Sequence, residues 1–257
     1  MVESQLIIDA DFTEPASIET DHLSIAYFFR RSPTASVTED SGGLCLRAST
    51  GEIFAIADGM GGHPCGEEAS RLAVSTIIAG LGGNSQGYDN PLRYFDDANQ
   101  RVIDLKKGSG STIVVAELRG NKVRFYNVGD SLGLVLGGKG KIKCQTVQHT
   151  KFGYGVESGL IKNTQTNNHR YGSELNNYLG SPSMRVDVGI EFTLASQDMV
   201  LLMSDGLYDH VDFTAIRPAG SCLEFCQSIV AEAIRNMEST SGRHDDMSII
   251  LFQIKKC

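Results

Sequence analysis

Acidic residues stand beside apolar stretches at five places in this chain. They are Thr38-Glu39-Asp40-Ser41, Ala57-Asp58-Gly59, Val128-Gly129-Asp130-Ser131, Met203-Ser204-Asp205-Gly206 and His244-Asp245-Asp246-Met247. Taken singly, each reads as a turn. Asp-Gly is a turn dipeptide, and Asp or Ser at a strand end satisfies loose backbone groups. Taken together they suggest more, because antiparallel strands bring distant ends to one sheet edge. Carboxylates gathered there repel one another, and burying them unpaired is costly. A hard divalent cation removes that cost, and a donor set made of oxygen alone selects Mg²⁺ or Mn²⁺ over zinc. No Cys/His set with zinc spacing competes. The stretch IFAIADGMGGHPCGEEAS, residues 53–70, shows the demand most clearly. Asp58 could bridge two cations, and the glycines after it would let the Gly59 carbonyl turn into the same site.

The elements that must position these acids can be outlined from the hydrophobic pattern. SIAYFFR reads as a strand, and GGLCLRAS with EIFAIAD reads as an antiparallel pair turning at Ser49-Thr50-Gly51. From Glu67 the period becomes helical, with Ala69, Leu72, Ala73, Ile77 and Ile78 on one face. PLRYFDDANQRVIDLKKG is a second helix, with Pro91 near its start and Lys106-Lys107-Gly108 at its end. STIVVAEL, KVRFYNVG, LGLVLGG and KIKCQTVQ then follow as strands through short turns. Residues 150–180 are polar and Gly/Asn-rich and read as a long surface excursion. MRVDVGIEFTL and DMVLLMS read as strands, LEFCQSIVAEAIRNM as an amphipathic helix, and MSIILFQI as a closing strand. Residues 1–20 read as a loosely held lead-in. Consecutive strands joined by tight turns imply antiparallel sheets. Two stacked sheets with helices outside would cover every apolar face.

Bulk properties bound the function. With 257 residues and 41% hydrophobic content the chain can build a sizeable core. Its 31 acids against 23 bases, a net charge of −8, argue against a nucleic-acid partner. No apolar run approaches the roughly 20 residues that span a bilayer, so no membrane association is expected. The start has no basic segment leading an apolar one, so no secretory signal is expected. The six cysteines show no CxxC spacing. They read as reduced thiols of a cytoplasmic protein, with a disulfide or zinc site as the lesser alternative.

The motifs resemble those of the metal-dependent type 2C serine/threonine protein phosphatases, in their bacterial form. ADGMGGHPCGEEAS is similar to that family's most specific signature. GSGSTIVVAEL resembles its Gly-Thr-Thr strand, YNVGDSLGLVL its Gly-Asp-Ser strand, LLMSDGLYDHV its Ser-Asp-Gly segment and RHDDMSIILF its closing Asp-Asn segment. They occur in the family's order over roughly residues 36–255. The resemblance implies one phosphatase domain over residues 1–257 with an α+β fold. That fold is a four-layer α-β-β-α sandwich of two mostly antiparallel sheets flanked by helices. It also implies a two-metal site on one edge. Asp58 would bridge both ions, Asp205 and Asp245 would hold the first, and the Gly59 carbonyl the second. Glu39 and Asp40 would act through waters, and Asp130 with Asp205 would hold a third, weaker ion. Residues 150–180 fall where the family has its flap.

The implied reaction is hydrolysis of phosphoserine or phosphothreonine in proteins by a metal-activated water, without a phosphoenzyme. The leaving oxygen would take its proton from a metal-bound water or a nearby histidine; His63 is the positional candidate, against a structural role for its ring. His149 reads as structural; Asp209, His210, Asp246, His244 and His169 read as polar loop residues. The substrate would be a phosphorylated protein, such as a serine/threonine kinase or its target. Three positions depart from the family pattern. The phosphate-gripping arginine four residues before Glu39 is Ala35, so the grip is shifted to Arg30 and Arg31 or is missing. The Asn expected beside Asp245 is Asp246, which adds negative charge near the first ion, and the Arg expected after Gly-Asp-Ser is Leu132. Ala35 motivates the alternative of a pseudophosphatase that binds phosphoproteins without turnover.

Overall fold

The computed structural model describes residues 3–46, 51–61, 64–83, 90–161, 174–239 and 244–255. Strands β1 (Glu3–Ile7), β2 (Ala16–Glu19), β3 (Leu23–Arg30), β4 (Asp40–Leu46) and β5 (Glu52–Asp58) come first. Helices α1 (Gly66–Gly83) and α2 (Leu92–Ile103) follow. Next are β6 (Ile113–Arg119), β7 (Lys122–Val128), β8 (Leu132–Leu136), β9 (Ile142–Gln145) and α3 (Lys151–Glu157). The chain closes with β10 (Asp187–Val188), β11 (Phe192–Thr193), β12 (Met199–Met203), α4 (Asp205–Tyr208), α5 (Cys222–Ser239) and β13 (Met247–Ile254). One sheet has the order β1-β4-β5-β6-β7-β10, with β11 also on β7; the other has the order β2-β3-β13-β12-β8-β9. All named strand pairs are antiparallel.

The layering follows from side-chain parity along the strands. On β3, Ile25, Tyr27 and Phe29 point into the space between the sheets, while Ala26 and Phe28 point to the outer face. Both faces are therefore buried, which explains a continuous apolar run instead of an alternating one. Phe29, Phe54, Ile56, Val114 and Phe252 share the core between the sheets. Outside the first sheet, Ala55 and Ala57 of β5 pack under Ala69, Ala73 and Ile77 of α1 and Phe95 of α2. Outside the second, Phe28, Leu201 and Ile249 pack under Phe225 and Ile229 of α5. The order helix, sheet, sheet, helix is the four-layer α+β sandwich expected from the sequence. Among the described residues no helix is long and apolar enough to cross a membrane. Cys45, Cys65, Cys144, Cys222 and Cys226 are free thiols.

Two expectations are corrected. Of the expected loose lead-in over 1–20, residues 3–20 are held in place, because β1 pairs with β4 and β2 with β3. Both are short edge strands that need only one apolar face: Ile7 is 4% exposed while its neighbour Leu6 is 44% exposed. MRVDVGIEFTL is not one strand but two, β10 and β11, both on β7. They flank Gly189, whose N–H donates to the Phe125 carbonyl at 2.8 Å. Val188 and Ile190 are exposed there, so little apolar burial extends the pairing. The segment 150–180 is anchored at both ends. It opens as α3, capped by Thr150 Oγ1 accepting from Gly153 N–H at 3.0 Å, and returns through bridges of Leu175 to Thr150 and Leu179 to Ser111. Residues 162–173, His169 among them, and the Ser49-Thr50 turn lie outside the described residues.

The inter-sheet core offers a direct test. Phe54 and Phe252 stack with centroids 4.1 Å apart, and both are fully buried. Phe252→Ala is expected to lose about 3–5 kcal/mol of unfolding free energy, read from urea denaturation. A loss under about 1 kcal/mol would mean the two sheets do not share a packed core.

Candidate metal centre

Strand register decides which acids meet. Asp40 is directly opposite Asp58 at the end of the β4–β5 ladder. In the other sheet Met203 of β12 is opposite both Ile249 of β13 and Leu132 of β8. Asp205 just after β12, Asp245 and Asp246 just before β13, and Asp130 just before β8 therefore reach the same edge. There Asp58, Gly59, Asp130, Asp205 and Asp245 line one cleft of about 350 Å³. Its remaining wall includes Met60, Thr112 and, from the end of the 150–180 segment, Glu174, Leu175 and Tyr178. Glu39 and Asp40 do not line it; they sit behind. His63 lies outside the described residues.

Backbone contacts hold the cleft's edge rigid. The Asp58 N–H donates to Thr112 Oγ1 at 3.0 Å. The Asp58 carbonyl accepts from Thr112 N–H at 2.8 Å and from Ser111 Oγ at 2.9 Å. Thr112 Oγ1 also meets Ser131 Oγ at 2.6 Å, which ties the Asp58 strand end to the Asp130 turn. Gly59 N–H donates to the Glu39 carbonyl at 3.0 Å. Any Cβ at Gly59 would collide with the Gly66 backbone at the start of α1, so glycine is required for this close approach. The same holds at Gly206, where a Cβ would strike the Asp246 carbonyl. The chemistry of Thr112 and Ser204 was not singled out from the sequence. A hydroxyl beside a strand-end acid was the available signal, and it is shared with any ordinary turn.

The electrostatics show an unmet demand for positive charge. Asp58 is pushed well above the usual carboxylate range by burial, then by Asp40, Asp205, Asp245 and Asp130. Asp40, 1% exposed, is raised by burial and then by Asp246, with Ser204 and Ser248 opposing. Its Oδ2 accepts from Ser204 Oγ at 2.8 Å, while its buried Oδ1 has no hydrogen-bond partner. Burial, with the charges of Asp246, Glu67 and Asp245, pushes Glu39 up to about 7. Among the described residues no three acidic, histidine or cysteine side chains are drawn closely enough to hold an ion between them. An oxygen-only set with an orphaned buried oxygen fits a hard divalent cation.

Asp246 has a role that the sequence reading did not assign. It is 5% exposed and turned toward residues 32–39. Its Oδ1 accepts from Ser32 N–H at 2.6 Å, and its Oδ2 from Thr38 Oγ1 at 3.0 Å and Glu39 N–H at 2.5 Å. Three donors converge on two oxygens, which an asparagine with one oxygen serves less well. The expected effect of Asp246 on the ions is therefore indirect. Its charge raises Glu39 and Asp40, and its oxygens position the segment that carries them. His149, fully buried, is structural as read: Nδ1 accepts from Gly129 N–H at 3.0 Å, which orients the turn into Asp130. Its Nε2 lies 3.0 Å from Asp187 Oδ2, and burial lowers its pKa. Asp209, His210 and His244 do not line the cleft.

The three departures also find their places. Leu132 is buried in the core under α5, where an arginine would not fit without loss. Arg30, Arg31 and Ala35 line a separate cavity of about 360 Å³, and neither arginine lines the acidic cleft. Arg31 is held by Asp11 at 3.2 Å and by the Ser36 carbonyl at 2.7 Å. Among the described residues, no arginine lines the acidic cleft.

Two outcomes follow from this arrangement. Asp246→Ala is expected to cost about 2–4 kcal/mol in urea unfolding, because three donors lose their acceptors, and Asp246→Asn should recover part of it. Equal losses in the two variants would show that the acceptor oxygens are not what matters. The second concerns pH. Glu39 is higher in the folded state than its ordinary 4.5, so the fold favours its protonated form. That contribution is present in full below about pH 4.5 and is lost as pH rises through about 7. In EDTA, the melting temperature of the wild type relative to Glu39→Gln should fall between pH 5 and 8. A flat or rising difference would contradict the raised carboxylate.

The family profile of protein phosphatase 2C matches residues 34–244. The serine/threonine protein phosphatase PstP of Mycobacterium tuberculosis is 26% identical over 79% of this chain. This chain spans 40% of that relative's length. The serine/threonine phosphatase stp of Listeria welshimeri is 26% identical over 84% of this chain and 89% of its own. Among solved structures, the catalytic domain of PstP in complex with two manganese ions superposes with a TM-score of 0.70. It is 24% identical, over 91% of this chain and 99% of that one. With its motifs in order, its acids on one edge and more than three quarters of its length matched, the chain belongs to the protein phosphatase 2C family.

Proposed function

We propose that the chain, acting as a single domain, hydrolyses phosphoserine and phosphothreonine in proteins with Mg²⁺ or Mn²⁺ as cofactor. The observation that carries this is the convergence of five strand-end positions, Asp58, Gly59, Asp130, Asp205 and Asp245, on one cleft. Asp58 would bridge two ions, Asp205 and Asp245 would hold the first and the Gly59 carbonyl the second. Glu39 and Asp40 would act only through water, and Asp130 with Asp205 would take a third ion. The two manganese ions of the related PstP domain support a two-ion site. Bound there, the ions would lower the pKa of a water to near neutrality and neutralise charge on the phosphoryl oxygens.

The chain's own residues do the positioning. Thr112 and Ser111 fix both backbone groups of Asp58, so its carboxylate is presented without rearrangement. Ser204 holds Asp40 behind it, and Asp246 holds the strap that leads to Glu39. His63 is the residue assigned to protonate the leaving oxygen. Glu174, Leu175 and Tyr178 bring the flap-like segment to the cleft, where a phosphorylated side chain would enter. The substrate would be a phosphorylated protein, such as a serine/threonine kinase or its target. A cytoplasmic location is supported by the five free thiols. Ala35 alone favours a binding module without turnover; the intact set of acids favours an enzyme.

The test is phosphate release from p-nitrophenyl phosphate and a phosphothreonine peptide. Release is expected with Mn²⁺ and is expected to stop with EDTA. Asp205→Ala should lower turnover by about 100-fold or more. The same variant should melt no lower than the wild type in EDTA, because it removes a repelling charge, and should lose the Mn²⁺-induced rise in melting temperature. Activity indifferent to EDTA, or near-normal rates in the variant, would overturn the assignment.

A further inference from the structure

We propose that the cavity at the end of β3 is a docking subsite for a carboxylate side chain of the protein substrate, anchored by Arg30. The proposal rests on the phosphatase reading above and adds a substrate preference to it. The cavity, about 360 Å³, is walled by Phe12, Thr13, Arg30, Arg31 and Ala35 and matches the acidic cleft in size. Its two guanidinium groups differ. Arg31 is occupied by Asp11 and the Ser36 carbonyl. The Arg30 guanidinium makes no hydrogen bond or ion pair with any described residue, although the chain has eight more acids than bases. A guanidinium left unclaimed at a cavity in so acidic a protein is available to an incoming anion.

Position links this cavity to the reaction. Arg30 is directly opposite Met247, two residues beyond Asp245, which lines the acidic cleft. Two extended residues span about 7 Å, so the subsites are neighbours along one edge. They are divided by the strap whose Ser32 N–H is bound to Asp246. Arg30 continues the parity of Ala26 and Phe28, so its Cβ lies on the outer face of the sheet and not between the sheets. A peptide with its phosphorylated residue in the cleft, extended at about 3.3 Å per residue, would bring a side chain two to four positions away to Arg30. Charge selects the occupant. Arg30 and Arg31 against Asp11 leave one positive charge. A single carboxylate matches that charge, and a phosphate dianion exceeds it. Phe12, half-buried, offers the aliphatic part of a glutamate an apolar wall.

The experiment uses phosphothreonine peptides that carry one Glu or one Gln at each position two to four residues either side of the phosphate. Expected is a wild-type kcat/KM for Glu about five- to tenfold above Gln at one such position. In Arg30→Ala that ratio should fall to about one, and in Arg30→Glu a Lys peptide should become the preferred one. Equal Glu and Gln rates at every position in the wild type, or a ratio that survives Arg30→Ala, would overturn the subsite. A phosphoserine at the best position that outperforms Glu by tenfold would overturn the choice of a carboxylate. If no peptide is turned over with Mn²⁺, it is the phosphatase reading that fails. Fluorescence anisotropy of the same peptides made with a non-hydrolysable phosphonate then reads the Glu-to-Gln ratio as Kd and decides the subsite separately.

Discussion

Like-charge repulsion at the open edge of the sandwich is the constraint to which the surrounding structure answers. Asp40, Asp130, Asp205 and Asp245 reach Asp58 from both sheets, and each adds to the cost of ionising it. Such a cluster is tolerable only where the backbone beneath it cannot yield. Here it cannot, because the strands that deliver the acids are buried on both faces. Phe54 and Ile56 of β5 lie between the sheets while Ala55 and Ala57 lie under α1. Packing of that density transmits strain instead of absorbing it. The stability of the core and the reactivity of the edge are two aspects of one arrangement.

Short hydroxyl side chains do the local work of holding the acids. Thr112 joins the Asp58 strand end to Ser131, and Ser204 joins Asp40 to Ser248. Each is a small polar residue with one donor and two acceptor sites, able to satisfy a backbone group and a side chain together. Asp246 does the corresponding task on a larger scale, gathering Ser32, Thr38 and Glu39 around two oxygens. The strap so formed separates the acidic cleft from the Arg30 cavity. One edge thereby offers a negative concavity suited to cations beside a positive one suited to a carboxylate.

Legibility from the sequence varied with the kind of element. Strands buried on both faces, such as β3, β12 and β13, announced themselves as apolar runs, and α1 and α5 as helical periodicities. The edge strands β1 and β2 did not, because one apolar face among polar residues looks like coil. β10 and β11 were read as one strand because Val186, Val188 and Ile190 alternate, although Val188 and Ile190 are exposed. At the site, the motifs point to Asp58, Gly59, Asp130, Asp205 and Asp245 but not to Thr112 or Tyr178, which line the same cleft. Arg30 and Arg31 stand close to Ala35 in sequence, but distance along the chain says nothing about which side of a strap a side chain takes.

What the sequence determined by itself is the inventory: which residues are acidic, that they border apolar strands, and that glycines flank them. Local chemistry suffices for that, since Asp-Gly and Gly-Asp-Ser carry their conformational preferences wherever they occur. Only tertiary structure decided the sorting. Asp245 lines the cleft and its neighbour Asp246 turns away to bind the strap. Asp58 faces the cleft while its cross-strand partner Asp40 is sealed behind it. Arg31 is captured by Asp11 and Arg30 is left open. Adjacent residues on an extended chain point to opposite sides, and which side is wet depends on what the other sheet and its loops bring there.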